Sequence, residues 1–319
     1  MIRTRFTELF GLEHPIMSAP MAMHSGGTLA AAVSSAGGMG SFGGIHTERG
    51  PEWIGEQASI VRDATDEPFA IGFITPFLSF FEPYFEAALD AHPDALALSF
   101  SDPGPWSGRV KDSGCRLICQ VQTLADADVA VAAGADVLVA QGNEAGGHTG
   151  TMGLLPLLPA IADRHPDIPL LAAGGIADGR TLAAALVAGA DGAWLGTAFL
   201  ATPEAIEISD DYKRAIVASD GGDTVFTRAY DIASGMPWPA GIGERLRRDA
   251  FTEEWNEREA ELRVQRESVT PGTPERYGQS AAFVRGVRPA GDVVRSISTD
   301  AERVLRERPA MLVRRTSSN

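Results

Sequence analysis

Up to about residue 205 the chain alternates short, continuously apolar runs with Ala-rich stretches of helical spacing. An apolar run without two-residue alternation, bounded by turn residues, is the pattern of a strand buried on both faces. Eight such runs predict strands over 15–19, 39–43, 69–73, 95–99, 116–121, 136–141, 169–173 and 192–196. The intervening stretches predict helices over 28–35, 52–62, 81–91, 124–133 and 180–188. Strict strand–helix alternation implies parallel pairing, and eight units point to closure into an α/β, (β/α)8 TIM-type barrel. The segment 133–141, Ala-Gly-Ala-Asp-Val-Leu-Val-Ala-Gln, resembles 188–196, Ala-Gly-Ala-Asp-Gly-Ala-Trp-Leu-Gly. In each, a helix ends at glycine, Ala-Asp turns the chain and a strand begins, which fits quasi-symmetric barrel units. The repeat alone does not exclude an open doubly wound sheet.

The alternation stops over 206–275, where no strand–helix pattern is visible and a strongly charged stretch over 251–267 predicts a helix. We read 206–275 as a late inserted, mostly helical lid, leaving 1–205 plus 276–319 as the barrel domain. Tyr230, Trp238 and Trp255 either wall a pocket there or form the small core of the insertion. Beyond it, Val293, Ile297, Ala301, Val304 and Leu305 sit at helical spacing and predict a closing helix.

Composition narrows the functional classes. Hydrophobic residues at 44% and charged residues at 22% are ordinary for a soluble globular enzyme. A net charge of −15 argues against nucleic acid or an anionic membrane surface as partner. The N-terminus lacks the apolar core of a secretory signal, and the apolar run over 153–159 is short and broken by proline. The two cysteines, Cys115 and Cys119, are expected to be reduced structural thiols of a cytoplasmic protein, with no metal-ligand partner nearby.

Three glycine-rich strand ends carry the candidate chemistry. After the sixth predicted strand come Gln141-Gly-Asn-Glu-Ala-Gly-Gly-His148-Thr-Gly150, where glycines such as Gly147 let backbone approach a ligand and one imidazole faces it. His148 is thus a candidate acid–base group near neutral pH. The seventh strand runs into Gly174-Gly175-Ile176-Ala-Asp178, with Asp178 a candidate helix N-cap, and the eighth into Gly196-Thr197. Adjacent strand ends of this kind are where barrels bind a phosphate through backbone N–H groups. By contrast, Gly38-Met-Gly40-Ser-Phe-Gly43 matches the dinucleotide pattern but follows a helix and itself forms a strand, so it is rejected as a fingerprint. Pro20, ending the first strand, either punctuates it or lays backbone flat against a planar ligand, and one of Gln120 and Gln122 could hydrogen-bond a ring carbonyl.

Together, Pro15-Ile-Met-Ser-Ala-Pro-Met21, the Gln141–His148 motif, the 172–179 segment Ala-Ala-Gly-Gly-Ile-Ala-Asp-Gly and Gly189-Ala-Asp-Gly-Ala-Trp-Leu-Gly-Thr197 resemble the nitronate monooxygenase family, formerly 2-nitropropane dioxygenases. The resemblance spans nearly the whole chain, although FMN-dependent enoyl-acyl-carrier-protein reductases share nearly all these motifs. It implies non-covalent FMN at the barrel mouth. Gly174, Gly175 and Ile176 would hold the phosphate with Gly196 and Thr197, while Ala19, Pro20 and Met21 would lie along the flavin ring. Of the two glutamines, read from their position rather than from the resemblance, Gln120 is taken as the cofactor's neighbour. His148 matches the catalytic histidine.

The implied reaction is oxidation of alkyl nitronates or nitroalkanes with O2 to carbonyl compounds and nitrite, with His148 as base or anion hydrogen-bond donor. The alternative is an FMN- and NAD(P)H-dependent enoyl-thioester reductase. The partners are then a small-molecule substrate and O2, and the reading allows a homodimer.

Two departures touch the pocket. The family's third strand usually ends Gly-Val-Asn, whereas this one has Ala70-Ile71-Gly72. Where the family often has glycine after Pro20-Met21-Ala22, this chain has Met23-His24. The quoted motifs hold no positive side chain, so an anionic substrate is expected to depend on backbone N–H groups and His148.

Overall fold

A computed structural model describes residues 1–312. Eleven strands occur among the described residues, in chain order: β1 Ile16–Ser18, β2 Gly40–Gly43, β3 Phe69–Ile74, β4 Ala95–Ser99, β5 Arg116–Val121, β6 Val137–Gln141, β7 Gly147–Thr149, β8 Leu170–Ala173, β9 Gly192–Leu195, β10 Thr224–Thr227 and β11 Gly243–Arg247. Eight of them form one parallel sheet in the order β1-β9-β8-β6-β5-β4-β3-β2. A parallel bridge between Met17 and Met39 joins β1 to β2 and closes the sheet into a barrel. All eight predicted barrel strands are present, displaced by no more than a residue or so at their ends.

Closure follows from what the strands carry. Met17, Met39, Ala70, Ala97, Ile118, Val139, Leu171 and Trp194 fill the barrel interior, and Phe6 from the helix Arg5–Phe10 joins them. The alternate residues, among them Ile16, Phe42, Ile71, Leu96 and Leu138, pack against the surrounding helices. Both faces of each strand are therefore dry, which is why the sequence shows apolar runs rather than alternation. The rejected glycine pattern lies where expected, in β2 and the turn before it, packed closely against the helix Gly27–Ser34.

Two barrel helices had no sequence signal. Gly104–Asp112 is poor in apolar residues, and Leu154–Arg164 contains the prolines that suggested an interrupted run. Proline is tolerated in a first turn, and the later Pro159 is accommodated within the helix.

Residues 206–275 contain four α-helices and two short strands. β10 pairs antiparallel with β11, and β11 pairs with β7 from the loop after β6. The charged stretch forms two helices, Ala250–Trp255 and Glu259–Gln265, rather than one. The closing helix, Ala290–Leu312, packs chiefly on the helix Gly179–Val187, which Asp178 caps as expected through the Thr181 N–H. Residues 313–319 of the proposed second barrel segment lie outside the described residues. No helix among the described residues is long and apolar enough to cross a membrane.

Candidate active site

The C-terminal ends of the barrel strands open into a cavity of about 400 Å3. Of the residues singled out from sequence, Ala19, Pro20, Met21, Gln120, Gly147, His148, Gly174, Ile176, Gly196 and Thr197 all line it. Gly175 does not, although it lies between two residues that do.

The His148 motif divides into groups that shape the loop and groups that face the cavity. Gln122 Nε2 donates to Gln141 Oε1 (2.9 Å), and Gln141 Nε2 donates to the His148 carbonyl (2.9 Å). Asn143 Nδ2 donates to the Gly150 carbonyl (2.7 Å), and the Glu144 carboxylate accepts from the Leu154 N–H at the start of its helix. Ala145, Gly146, Gly147 and His148 are left lining the cavity. Gln122 is thus structural, whereas Gln120 faces the cavity with its Oε1 buried and without a partner among the described residues.

His148 is fixed by residues far away in sequence. Its Nε2 lies 3.0 Å from Asp231 Oδ1 and 3.2 Å from Oδ2, both side chains being largely buried. Its ring stacks on Trp238 with centroids 3.5 Å apart and planes 15° from parallel. Phe100 and Phe77 each set an edge against Trp238, at 5.3 and 5.0 Å. Phe100 follows β4 with φ of 77°, a left-handed conformation uncommon for a bulky residue and found typically at functional sites. Of the three aromatics named from sequence, Trp238 walls the cavity, while Tyr230 and Trp255 belong to small cores of the inserted segment.

The two departures from the family pattern have local structural consequences. A Cβ placed on Gly72 would come within 2.5 Å of Pro20 Cβ and closer still to Cγ, so the Pro20 ring occupies the space an asparagine would need. Met23 has φ of 61°, a conformation glycine adopts without strain and which this methionine is forced to take. The neighbouring His24 is bonded through Nδ1 to the Ala22 carbonyl (2.8 Å), and burial lowers its pKa, favouring the neutral ring.

Sequence reasoning missed Asp231, Phe100 and Arg276, all of which line the cavity. Arg276, which lies outside the quoted motifs, brings a positive side chain to the cavity wall. Its Nε donates to Glu244 Oε2 (2.7 Å), and Glu244 has no solvent exposure. Burial pushes the Glu244 carboxyl up, and the adjacent Arg276 opposes that shift. Ligand-type atoms of His148, Asp231 and Glu244 lie within 4.8 Å of one another, the spacing of a metal cluster. The first two already bind each other, and a guanidinium touches the third, which disfavours a cation there.

The cavity suits a flavin phosphate and ring system. Gly174 and Gly175 have φ of 95° and 72°. The N–H groups of Gly175, Ile176 and Gly196 find no acceptor among the described residues. Unclaimed donors at two adjacent strand ends fit a phosphate, and the orphaned Gln120 oxygen fits a ring N–H.

A family model described as nitronate monooxygenase matches residues 3–110 and 85–238. The chain belongs to the nitronate monooxygenase family. That family is one of flavin-dependent oxidoreductases. A nitronate monooxygenase of Pseudomonas aeruginosa is 34% identical over 284 residues, covering 73% of this chain and 79% of that protein. A hydroxy-methyl-oxo-octahydroindene-carboxyl-CoA dehydrogenase of Mycobacterium tuberculosis is 32% identical over 238 residues, or 74% of this chain. The match spans 65% of that relative's length. Among solved structures, FabK from Thermotoga maritima superposes with a TM-score of 0.86 at 29% identity, covering 98% of this chain and 100% of that one.

Proposed function

We propose that the protein oxidises alkyl nitronates, and nitroalkanes as their carbon acids, with O2 to carbonyl compounds and nitrite, using FMN. The observation that carries this reading is the His148–Asp231 pair at the wall of the cavity. Ala19–Met21 and Gln120 would hold the FMN ring, and Gly174–Ile176 with Gly196 and Thr197 its phosphate. Bound there, FMN would supply the electron acceptance and the reaction with O2.

The protein's own part is proton chemistry and exclusion of water. In this reading Asp231 accepts from His148 Nε2–H, which would fix the tautomer and leave Nδ1 with the free lone pair. Nδ1 is then the atom that takes the α-proton of a nitroalkane, whose electron pair stays on the substrate as the nitronate. The Trp238 stack restricts the imidazole to one plane, so the lone pair keeps a fixed direction. Phe100, Met236 and Trp238 give this side of the cavity apolar walls.

A second reading, flavin- and NAD(P)H-dependent reduction of enoyl thioesters, draws support from the likeness to the mycobacterial carboxyl-CoA enzyme. One experiment separates them: the anaerobic visible spectrum of the purified protein with propionate 3-nitronate, and separately with NADH or NADPH. Bleaching by the nitronate supports the first reading. Bleaching by the pyridine nucleotide alone replaces it with the second. A protein that stays colourless when supplied with FMN refutes both.

A further inference from the structure

Among the described residues Arg276 is the only lysine or arginine that lines the cavity. Its Nε is engaged by Glu244, and no acceptor among the described residues claims its two terminal Nη groups. Glu244 stands directly opposite His148 in the β7–β11 register, so the pairing that places the histidine also places the carboxylate gripping the guanidinium. A fully buried carboxylate must be paired, and this one holds the guanidinium through one edge. A lysine would satisfy that carboxylate equally well; what an arginine adds is a planar fork of further N–H donors.

We infer that Arg276 is the anion-recognition residue of this cavity, receiving the two oxygens of the substrate's nitro or nitronate group beside His148. The inference deepens the nitronate reading and rests on it for the identity of the substrate. A nitronate presents a planar O–N–O fork, the geometry of a carboxylate, which guanidinium meets through two parallel hydrogen bonds. The chain as a whole, at a net charge of −15, offers such an anion little attraction. As the α-proton moves to His148, negative charge grows on the nitro oxygens, so the guanidinium binds the transition state more tightly than a neutral nitroalkane.

The two substrate forms should therefore respond differently. Removing Arg276 should raise KM with little change in kcat for a preformed nitronate, and lower kcat for the neutral nitroalkane. A merely structural arginine would show no such split.

The direct test uses nitrite, a small O–N–O anion, titrated by calorimetry into the FMN-loaded protein. Arg276→Met should weaken nitrite binding roughly tenfold or more, with Arg276→Lys recovering part of it and FMN content unchanged. Because Arg276→Met leaves Glu244 buried and unpaired, the double variant Glu244→Gln/Arg276→Met is measured beside it, and it should show the same weakening. Unchanged nitrite affinity in either would overturn the inference, as would absence of binding to the unaltered protein. Loss of FMN from a folded variant would also overturn it, reassigning Arg276 to the cofactor phosphate. Arg276-dependent nitrite binding in a protein that ignores nitronates supports the anion site while refuting the nitronate reading.

Discussion

Restoring the family's asparagine at position 72 should damage the protein rather than improve its flavin site. The clash begins at the first side-chain atom: a Cβ on Gly72 falls within 2.5 Å of Pro20 Cβ and nearer to Cγ. Ordinary carbon contacts lie at ~3.5–4.0 Å, so the ring must retreat by about 1 Å. Pro20 cannot swing aside as a flexible side chain would, because its ring is part of the backbone two residues past β1. Overpacking of this kind costs about 1–3 kcal/mol. Spread over an unfolding entropy of ~2.1 cal/mol/K per residue, that is a fall of roughly 1.5–4.5 °C in the melting midpoint for 319 residues.

Gly72→Ala isolates the Cβ effect, and Gly72→Asn adds the amide. Both should melt earlier by calorimetry and retain less FMN after gel filtration, since Pro20 would be displaced along the proposed flavin face. Pro20→Gly in the Gly72→Ala background should recover part of the stability. A Gly72→Asn protein with an unchanged midpoint and tighter FMN retention would refute this reasoning.

Other outcomes follow from the same geometry. His148→Asn should keep its FMN absorbance but lose nitroalkane oxidation by ~10²–10⁴-fold, the usual worth of an acid–base group, and full activity would remove His148 from its role. Asp231→Asn preserves shape but frees the Nε2 tautomer, so kcat for nitroalkanes should fall more than kcat for preformed nitronates; equal losses would count against orientation of a base. Cys119 is buried with its thiol pushed up to about 12, and burial also raises Cys115. Ellman's reagent at pH 8 should accordingly find almost no thiol in the folded protein and both after denaturation; rapid native labelling would contradict this.

The barrel was legible because each of its strands is dry on both faces and leaves an unmistakable apolar run. The glycine signals at 147 and 174 were legible for a related reason, since the left-handed backbone both adopt tolerates few other residues. The three-stranded sheet was not. β7 is only Gly-His-Thr, and its partner β11 carries Glu and Arg, so neither has an apolar face to announce it. Gln120 and Gln122 could not be told apart from their spacing, because the difference lies in Gln141, which captures one and not the other. Asp231 and Arg276 lie in no motif, and only the folded chain brings them to the cavity. Pro156, in the first turn, and Pro159, one turn on, concealed a helix because a breaker that a helix accommodates reads the same as one between elements.

The short sheet that seats His148 also sets a timetable for the nascent chain. Every barrel strand has been synthesised once Leu195 is made, yet β7 has no antiparallel partner until β11 is complete at Arg247. Arg245, whose Nε donates to the Asn143 carbonyl, closes a loop of 102 residues. At ribosomal speeds of roughly 5–20 residues per second, about 3–10 s separate a barrel with all its staves from one whose histidine is in place. For that interval the chain has the staves that line the cavity but not the sheet that holds His148, so whatever the imidazole does there awaits a part of the message far downstream of the barrel itself.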